Sequence, residues 1–281
     1  MLEIKRLSFA FQLFSYFFRK LYHTLLIKIK RYCFLLFHKS KYMKNLTSLP
    51  SQNSQAAQHS SLIGLLIAAM ITVLLFNVPY GNYITYPFMI LGTWFHEMGH
   101  GLMALLWGGD FIKLKMFTNG SGVATTSSPN MIAQAWVAAA GLMSPPIVGA
   151  ALIMAGRTQK GSKIAMSILG GALLLSVVIF VRSIFGVVAV SLWGAIVMAC
   201  AFKLPHSYKP FVVQFLGIQA WASTFVSLDY MFSDNAGSLG MQSDTQAIAN
   251  LLVLPYWFWG GAIALFSIFM LLVSLKIAFK K

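Results

Sequence analysis

The chain has 281 residues, 58% of them hydrophobic and only 10% charged, with a mean hydropathy of +0.74. A soluble domain is about a quarter charged, so this composition excludes an ordinary soluble enzyme and describes an integral membrane protein with several spans. Twenty-one basic residues stand against six acidic ones with no basic stripe on a soluble fold; that excess speaks for loops facing anionic lipid and the cytoplasm, not for nucleic-acid binding.

Residues 1–42 mix aromatic and basic side chains, as in Phe11 to Lys20 and Ile27 to Tyr32. No charge-free run there reaches the ~20 residues of a span, and no small-residue cleavage site marks a signal peptide. Two readings stand: an interfacial basic amphipathic segment, or a translation start at Met43. Residues 45–60 are rich in Ser, Gln and Asn and read as a polar linker. Residues 1–60 therefore form an N-terminal extension before a membrane-embedded domain over 61–281.

From Ser61 the pattern predicts spans at about 61–78, 83–108, 131–155, 162–182, 184–202, 211–232 and 251–277. Each is long enough, at about 1.5 Å per residue, to cross most of a ~30 Å hydrocarbon layer. Only Arg182 and Ser183 separate the fourth span from the fifth, and Pro145-Pro146 should kink the third. No internal repeat is visible. After the second span, Gly108 to Phe117 alternates apolar and polar residues, Asn119-Gly120 follows, and a second β-prone run ends at Thr126. That is a β-hairpin signal, with a polar loop as the plainer alternative. A free strand edge there could pair with an extended peptide. The expected fold is an all-α polytopic membrane protein of about seven transmembrane helices with one short β-hairpin.

Arg157, Lys160, Lys163, Lys203, Lys209, Lys276, Lys280 and Lys281 fall on one side of this arrangement, which the positive-inside rule makes cytoplasmic. The basic residues 1–42 then land outside, against the rule. A start at Met43 removes most of that conflict.

The chemistry concentrates in Phe95-His96-Glu97-Met98-Gly99-His100, inside an otherwise membrane-grade stretch. His96 and His100 are four apart and share one face of a helix. Two imidazoles so placed can bind one zinc, and Glu97 beside them can activate a zinc-bound water. A chance match on a buried helix would leave three polar side chains in lipid without partners, at a cost of several kcal/mol. Gly99 and Gly101 let a neighbouring helix approach.

A catalytic zinc wants a third protein ligand. His23, His38 and His59 precede the spans, and His206 lies in a polar loop beside Pro205. Cys33 and Cys200 form no CxxC pattern. Glu3 is N-terminal, Asp110 reads as a turn former, and Asp234 lies in a loop. Asp229 and Asp244 remain. Asp229 is the more deeply placed and Asp244 sits at the start of the last helix, where Ser243-Asp244 reads equally as an N-cap. One can ligate the metal while the other holds a histidine.

At these residues the chain resembles the site-2 protease family of intramembrane zinc metalloproteases, in its compact bacterial and plant branch. The resemblance is carried by Phe95 to Gly109, the strand-like segment to Thr126, Ala139 to Pro146, and Ser243 to Ala249. It implies Zn2+ held by His96 and His100, Glu97 as the catalytic base, and membrane-protein or peptide substrates. It also implies a multi-pass protein, with a bacterial inner membrane expected. The family's third ligand is an aspartate in a Leu-Asp-Gly motif. Here Leu228-Asp229-Tyr230 keeps Leu-Asp without the glycine, and Ser243-Asp244-Thr245 keeps the aspartate alone. The family's asparagine that stabilises the tetrahedral intermediate is missing near Pro145-Pro146, where Ser144 stands.

Two rivals come from other classes. A catalytically inactive membrane scaffold could retain the zinc site, but it has no need of Glu97. A transporter would show an inverted repeat and more dispersed intramembrane charge.

Overall fold

The computed structural model describes residues 65, 69–72, 74–75, 81–233 and 242–279. The extension 1–60, most of the expected 61–78 span and Asp234 lie outside the described residues. The ordered elements are α1 (Gly81–Leu106), β1 (Phe111–Met116), β2 (Gly122–Thr126), α2 (Met131–Ala155), α3 (Gln159–Ile179), α4 (Ile184–Lys203), α5 (Lys209–Val226), α6 (Leu228–Met231), α7 (Asp244–Leu251) and α8 (Tyr256–Ala278).

Four helices, α2, α3, α4 and α8, are long and apolar enough to cross a membrane. The expected count of seven is thus met only in part among the described residues. α1 carries the two histidines and the glutamate, and α5 carries Gln214, Gln219, Ser223 and Thr224, which dilute the hydropathy of both. The last predicted span divides in two. Leu252 to Pro255 breaks the helix, because the residue before a proline is driven out of the α region. Asp244 therefore opens its own eight-residue helix, not the final long one.

α2 is the central element. In its most apolar window 61% of residues are buried, against 22% in α8. It packs on α5, α1 and α8, while α3 and α4 pair beside them. Ile168, Leu175, Val188, Leu192, Leu265 and Leu272 all point outward, the apolar outer surface expected of helices that face lipid. α2 crosses α5 at glycines: a Cβ on Gly149 would stand 2.6 Å from the Gly217 carbonyl, and one on Gly217 would stand 2.7 Å from that of Gly149. Only small residues permit so close a crossing.

Pro145 and Pro146 lie inside α2. Pro145 has no N–H for the carbonyl four residues back, that of Gly141. The Ser144 hydroxyl lies 3.2 Å from this carbonyl and donates at 2.6 Å to the carbonyl of Phe95 on α1. The proline break and the α1–α2 contact thus share one side chain.

The hairpin forms where alternation and Asn119-Gly120 place it. β1 and β2 pair antiparallel, with Leu114 opposite Ala124 and an irregularity between Phe111 and Lys113. Gly120 takes a φ of +86°, which its lack of a Cβ permits. The outer edge of β1 is covered: the Leu114 N–H donates to the Phe180 carbonyl and the Leu114 carbonyl accepts the Arg182 N–H, both at 2.8 Å. The outer edge of β2 faces α1.

Candidate metal centre

Two consecutive turns of α1, Thr93 to His100, set the site. Trp94 and Phe95 anchor the helix in the core, and the Trp94 indole donates to Ser176 Oγ on α3 at 3.0 Å. The opposite face presents His96, Glu97 and His100 to a cavity of about 860 Å³. The i, i+4 spacing brings His96 Nε2 and His100 Nε2 to 3.1 Å from one another.

The third corner comes from α7. Asp244 Oδ2 stands 3.0 Å from His96 Nε2 and 3.4 Å from His100 Nε2. Among the described residues, His96, His100 and Asp244 form the one cluster of three potential metal ligands. Asp229 does not join them; it is exposed on α6. His206 is exposed as well. Asp110 serves the turn, accepting the Ser127 hydroxyl at 2.8 Å.

Asp244 is not spent as a helix cap. Ser243 takes that part: its Oγ accepts the Gln246 N–H at 3.2 Å. α7 is held to α6 by the Thr245 hydroxyl, which donates to the Met231 carbonyl at 2.9 Å. The Asp244 N–H donates to the Tyr230 hydroxyl at 3.0 Å. Burial by itself would raise the Asp244 carboxyl, but the two facing imidazoles outweigh it and hold the group below the usual carboxylate range. That direction agrees with the role of a metal ligand, which must be ionised.

The donor set fits a metal. Zinc ligated at about 2.0–2.1 Å in tetrahedral geometry separates its ligand atoms by about 3.3 Å. The three edges found here are 3.0, 3.1 and 3.4 Å. Asp244 Oδ2 is buried and accepts no hydrogen bond among the described residues, an orphan that a cation would satisfy. His100 Nδ1 lies 2.7 Å from the Val137 carbonyl of α2. That contact fixes the tautomer with Nδ1 protonated and Nε2 free to ligate.

Glu97 is buried beside this triangle, and its Oε2 accepts the Ala124 N–H of β2 at 2.6 Å. Thr93, one turn earlier, donates to the Gly120 carbonyl at 2.7 Å. The hairpin edge is therefore docked along the motif helix, and Gly122, Val123 and Ala124 line the same cavity. Ser144, which stands beside Pro145-Pro146 where the resemblance leads one to look for an asparagine, does not line it. Sequence reasoning missed Tyr230, the Val137 carbonyl and the Ala124 N–H. The last two are backbone groups with no signature in residue type. For Tyr230 the signal was present: an aromatic hydroxyl next to a candidate aspartate, on a four-residue helix that can turn only one of the two inward.

The protein-family model described as Peptidase M50B-like matches residues 65–274, most of the chain. No curated protein and no solved structure matches it.

Proposed function

Because the chain belongs to the M50B-like peptidase family, we propose that it is an intramembrane zinc metalloprotease that hydrolyses peptide bonds of membrane-associated substrates. The observation that carries the reading is the triangle of His96, His100 and Asp244 with the Glu97 carboxylate beside it. Two imidazoles and one carboxylate also suit non-haem iron. A glutamate adjacent to the first histidine has no part in iron oxygenation and a defined one in hydrolysis, so zinc is the better assignment.

When bound, zinc supplies a Lewis acid that polarises the scissile carbonyl and acidifies water. His96, His100 and Asp244 hold it. Glu97 removes a proton from the attacking water and delivers it to the leaving amine nitrogen. The Ala124 N–H holds one Glu97 oxygen at 2.6 Å, which leaves the other free to take that proton. With the Ala124 N–H of β2 taken by Glu97, the hairpin contributes Gly122, Val123 and Ala124 to the cavity wall against which an unwound substrate chain would lie. The protein is a multi-pass component of a bacterial inner membrane in this reading, with the bilayer as its setting.

Metal content tests the ligand set. Purified wild type and Asp229→Ala should each carry one zinc per chain, and Asp244→Ala should carry almost none. Cleavage of a single-span membrane substrate should cease in Glu97→Gln while zinc remains. Equal cleavage by Glu97→Gln and wild type would sink the hydrolytic mechanism.

A further inference from the structure

Hydrolysis of a peptide bond places negative charge on the former carbonyl oxygen, and a hydrogen-bond donor aimed at that charge is worth much of the rate. Ser144 cannot supply it. Its hydroxyl is committed to the Phe95 carbonyl at 2.6 Å and lies against that of Gly141. The Ala124 N–H cannot supply it either, being held by Glu97. Gln219 donates to Thr72 at 2.6 Å, and Ser223 donates to its own helix at the Ala220 carbonyl.

Tyr230 is differently placed. It lines the cavity together with His96, Glu97, His100 and Asp244. Its ring stands edge-on to that of His96, with centroids 6.2 Å apart. Its hydroxyl oxygen accepts the N–H of Asp244 at 3.0 Å, so the backbone of the carboxylate ligand itself fixes where the phenol sits. That bond uses a lone pair of the oxygen; the O–H lies within reach of the Asp244 carboxylate, and once that carboxylate serves a cation the proton is there to be given to a substrate oxygen. Glu97 is held by β2 and Tyr230 comes from α6, so the carboxylate and the phenol enter the cavity from different elements. A base and a separate neutral donor are the two groups that attack on a carbonyl requires.

We propose that the Tyr230 hydroxyl is a catalytic group that donates a hydrogen bond to the oxyanion of the tetrahedral intermediate. This rests on the metalloprotease reading. The rival role is that Tyr230 merely positions Asp244.

The probes are a phosphinate analogue of an Ala-Leu-Ala tripeptide amide, whose P–O⁻ mimics the oxyanion, and imidazole, a neutral zinc ligand. Binding of both is measured by calorimetry on detergent-solubilised full-length wild type and Tyr230→Phe, alongside zinc content. The expected result is one zinc per chain in each, phosphinate affinity lowered about 100-fold in Tyr230→Phe, and imidazole affinity unchanged. Tyr230→His, which restores a donor at the end of a ring, should recover part of the phosphinate affinity. If Tyr230→Phe loses zinc, or weakens both probes alike, the tyrosine is a positioning residue and the proposal is overturned. If it binds phosphinate as tightly as wild type, the donor lies elsewhere and the protease reading stands. If wild type itself takes up no zinc, the protease reading falls and takes this assignment with it.

Discussion

Glu97 Oε2 accepts the N–H of Ala124 at 2.6 Å, so the glutamate of the motif helix is tied to the edge of the hairpin that follows it. The contact is possible because residue 122 has no side chain. A Cβ on Gly122 would stand 2.7 Å from Glu97 Cγ and 2.8 Å from Thr93 Cγ2. The Glu97 carboxylate, the strand edge and the glycine form one unit, although 25 residues separate Glu97 from Gly122 in sequence.

Gly122→Ala should therefore act on the base and spare the metal. Gly122 is not among the residues of positive φ, so alanine meets no backbone strain; the contacts that change are those with Glu97 and with Thr93 one turn before it. Zinc content should stay at one per chain while cleavage falls by about tenfold or more, in keeping with partial loss of a general base worth ~10²–10⁴. Parallel metal analysis and cleavage assays separate the two. Loss of zinc in step with activity would show that the glycine serves the fold and not the base.

Gly141→Ala should act on the metal directly. A Cβ there would lie 2.2 Å from His100 Cε1 and 2.3 Å from its Nε2. The ring cannot simply withdraw, because Nδ1 is held by the Val137 carbonyl at 2.7 Å on the same helix face. The substitution must break that contact or tilt Nε2 away from His96 and Asp244. Loss of such an orienting contact costs about 10–100-fold in metal affinity. Competition with a chromogenic chelator measures it. Unchanged zinc affinity would mean that His100 is not a ligand.

Much of this site was legible in residue order, and the limit is physical. His96, Glu97 and His100 follow from helical periodicity within one element, and the hairpin follows from alternation closed by Asn119-Gly120. Which aspartate joins the two histidines depends on how α6 and α7 are bonded to each other, through Tyr230 to Asp244 and Thr245 to Met231, and no local pattern encodes that. Depth in a predicted span favoured Asp229. The four-residue α6 presents Tyr230 to the cavity and leaves Asp229 exposed. The cap reading of Asp244 was plausible one residue too late, since Ser243 caps α7 and sets the carboxylate free. The span count met a related limit. α1 and α5 line the site, and the polar groups that serve it make them too polar for composition alone to mark as membrane helices.

Ser144→Ala separates architecture from catalysis. If serine stood in for the missing asparagine of the family, its removal would lower turnover by a factor of 10²–10³, as loss of an oxyanion donor does. The geometry assigns it a different task. Its hydroxyl donates to the Phe95 carbonyl at 2.6 Å and lies 3.2 Å from the Gly141 carbonyl, whose usual helical partner is a proline. Alanine leaves this pair of carbonyls short of a donor at the contact between α1 and α2, at a cost of about 1–3 kcal/mol. For a domain of this size that is a fall of several degrees in unfolding temperature. Gly99, whose added Cβ would meet Ser144 Oγ at 2.5 Å, stays in place, so the histidines keep their register. Thermal unfolding in detergent should thus show a lower midpoint with zinc content and turnover close to wild type. A collapse in turnover at unchanged stability would move the oxyanion role from Tyr230 to Ser144.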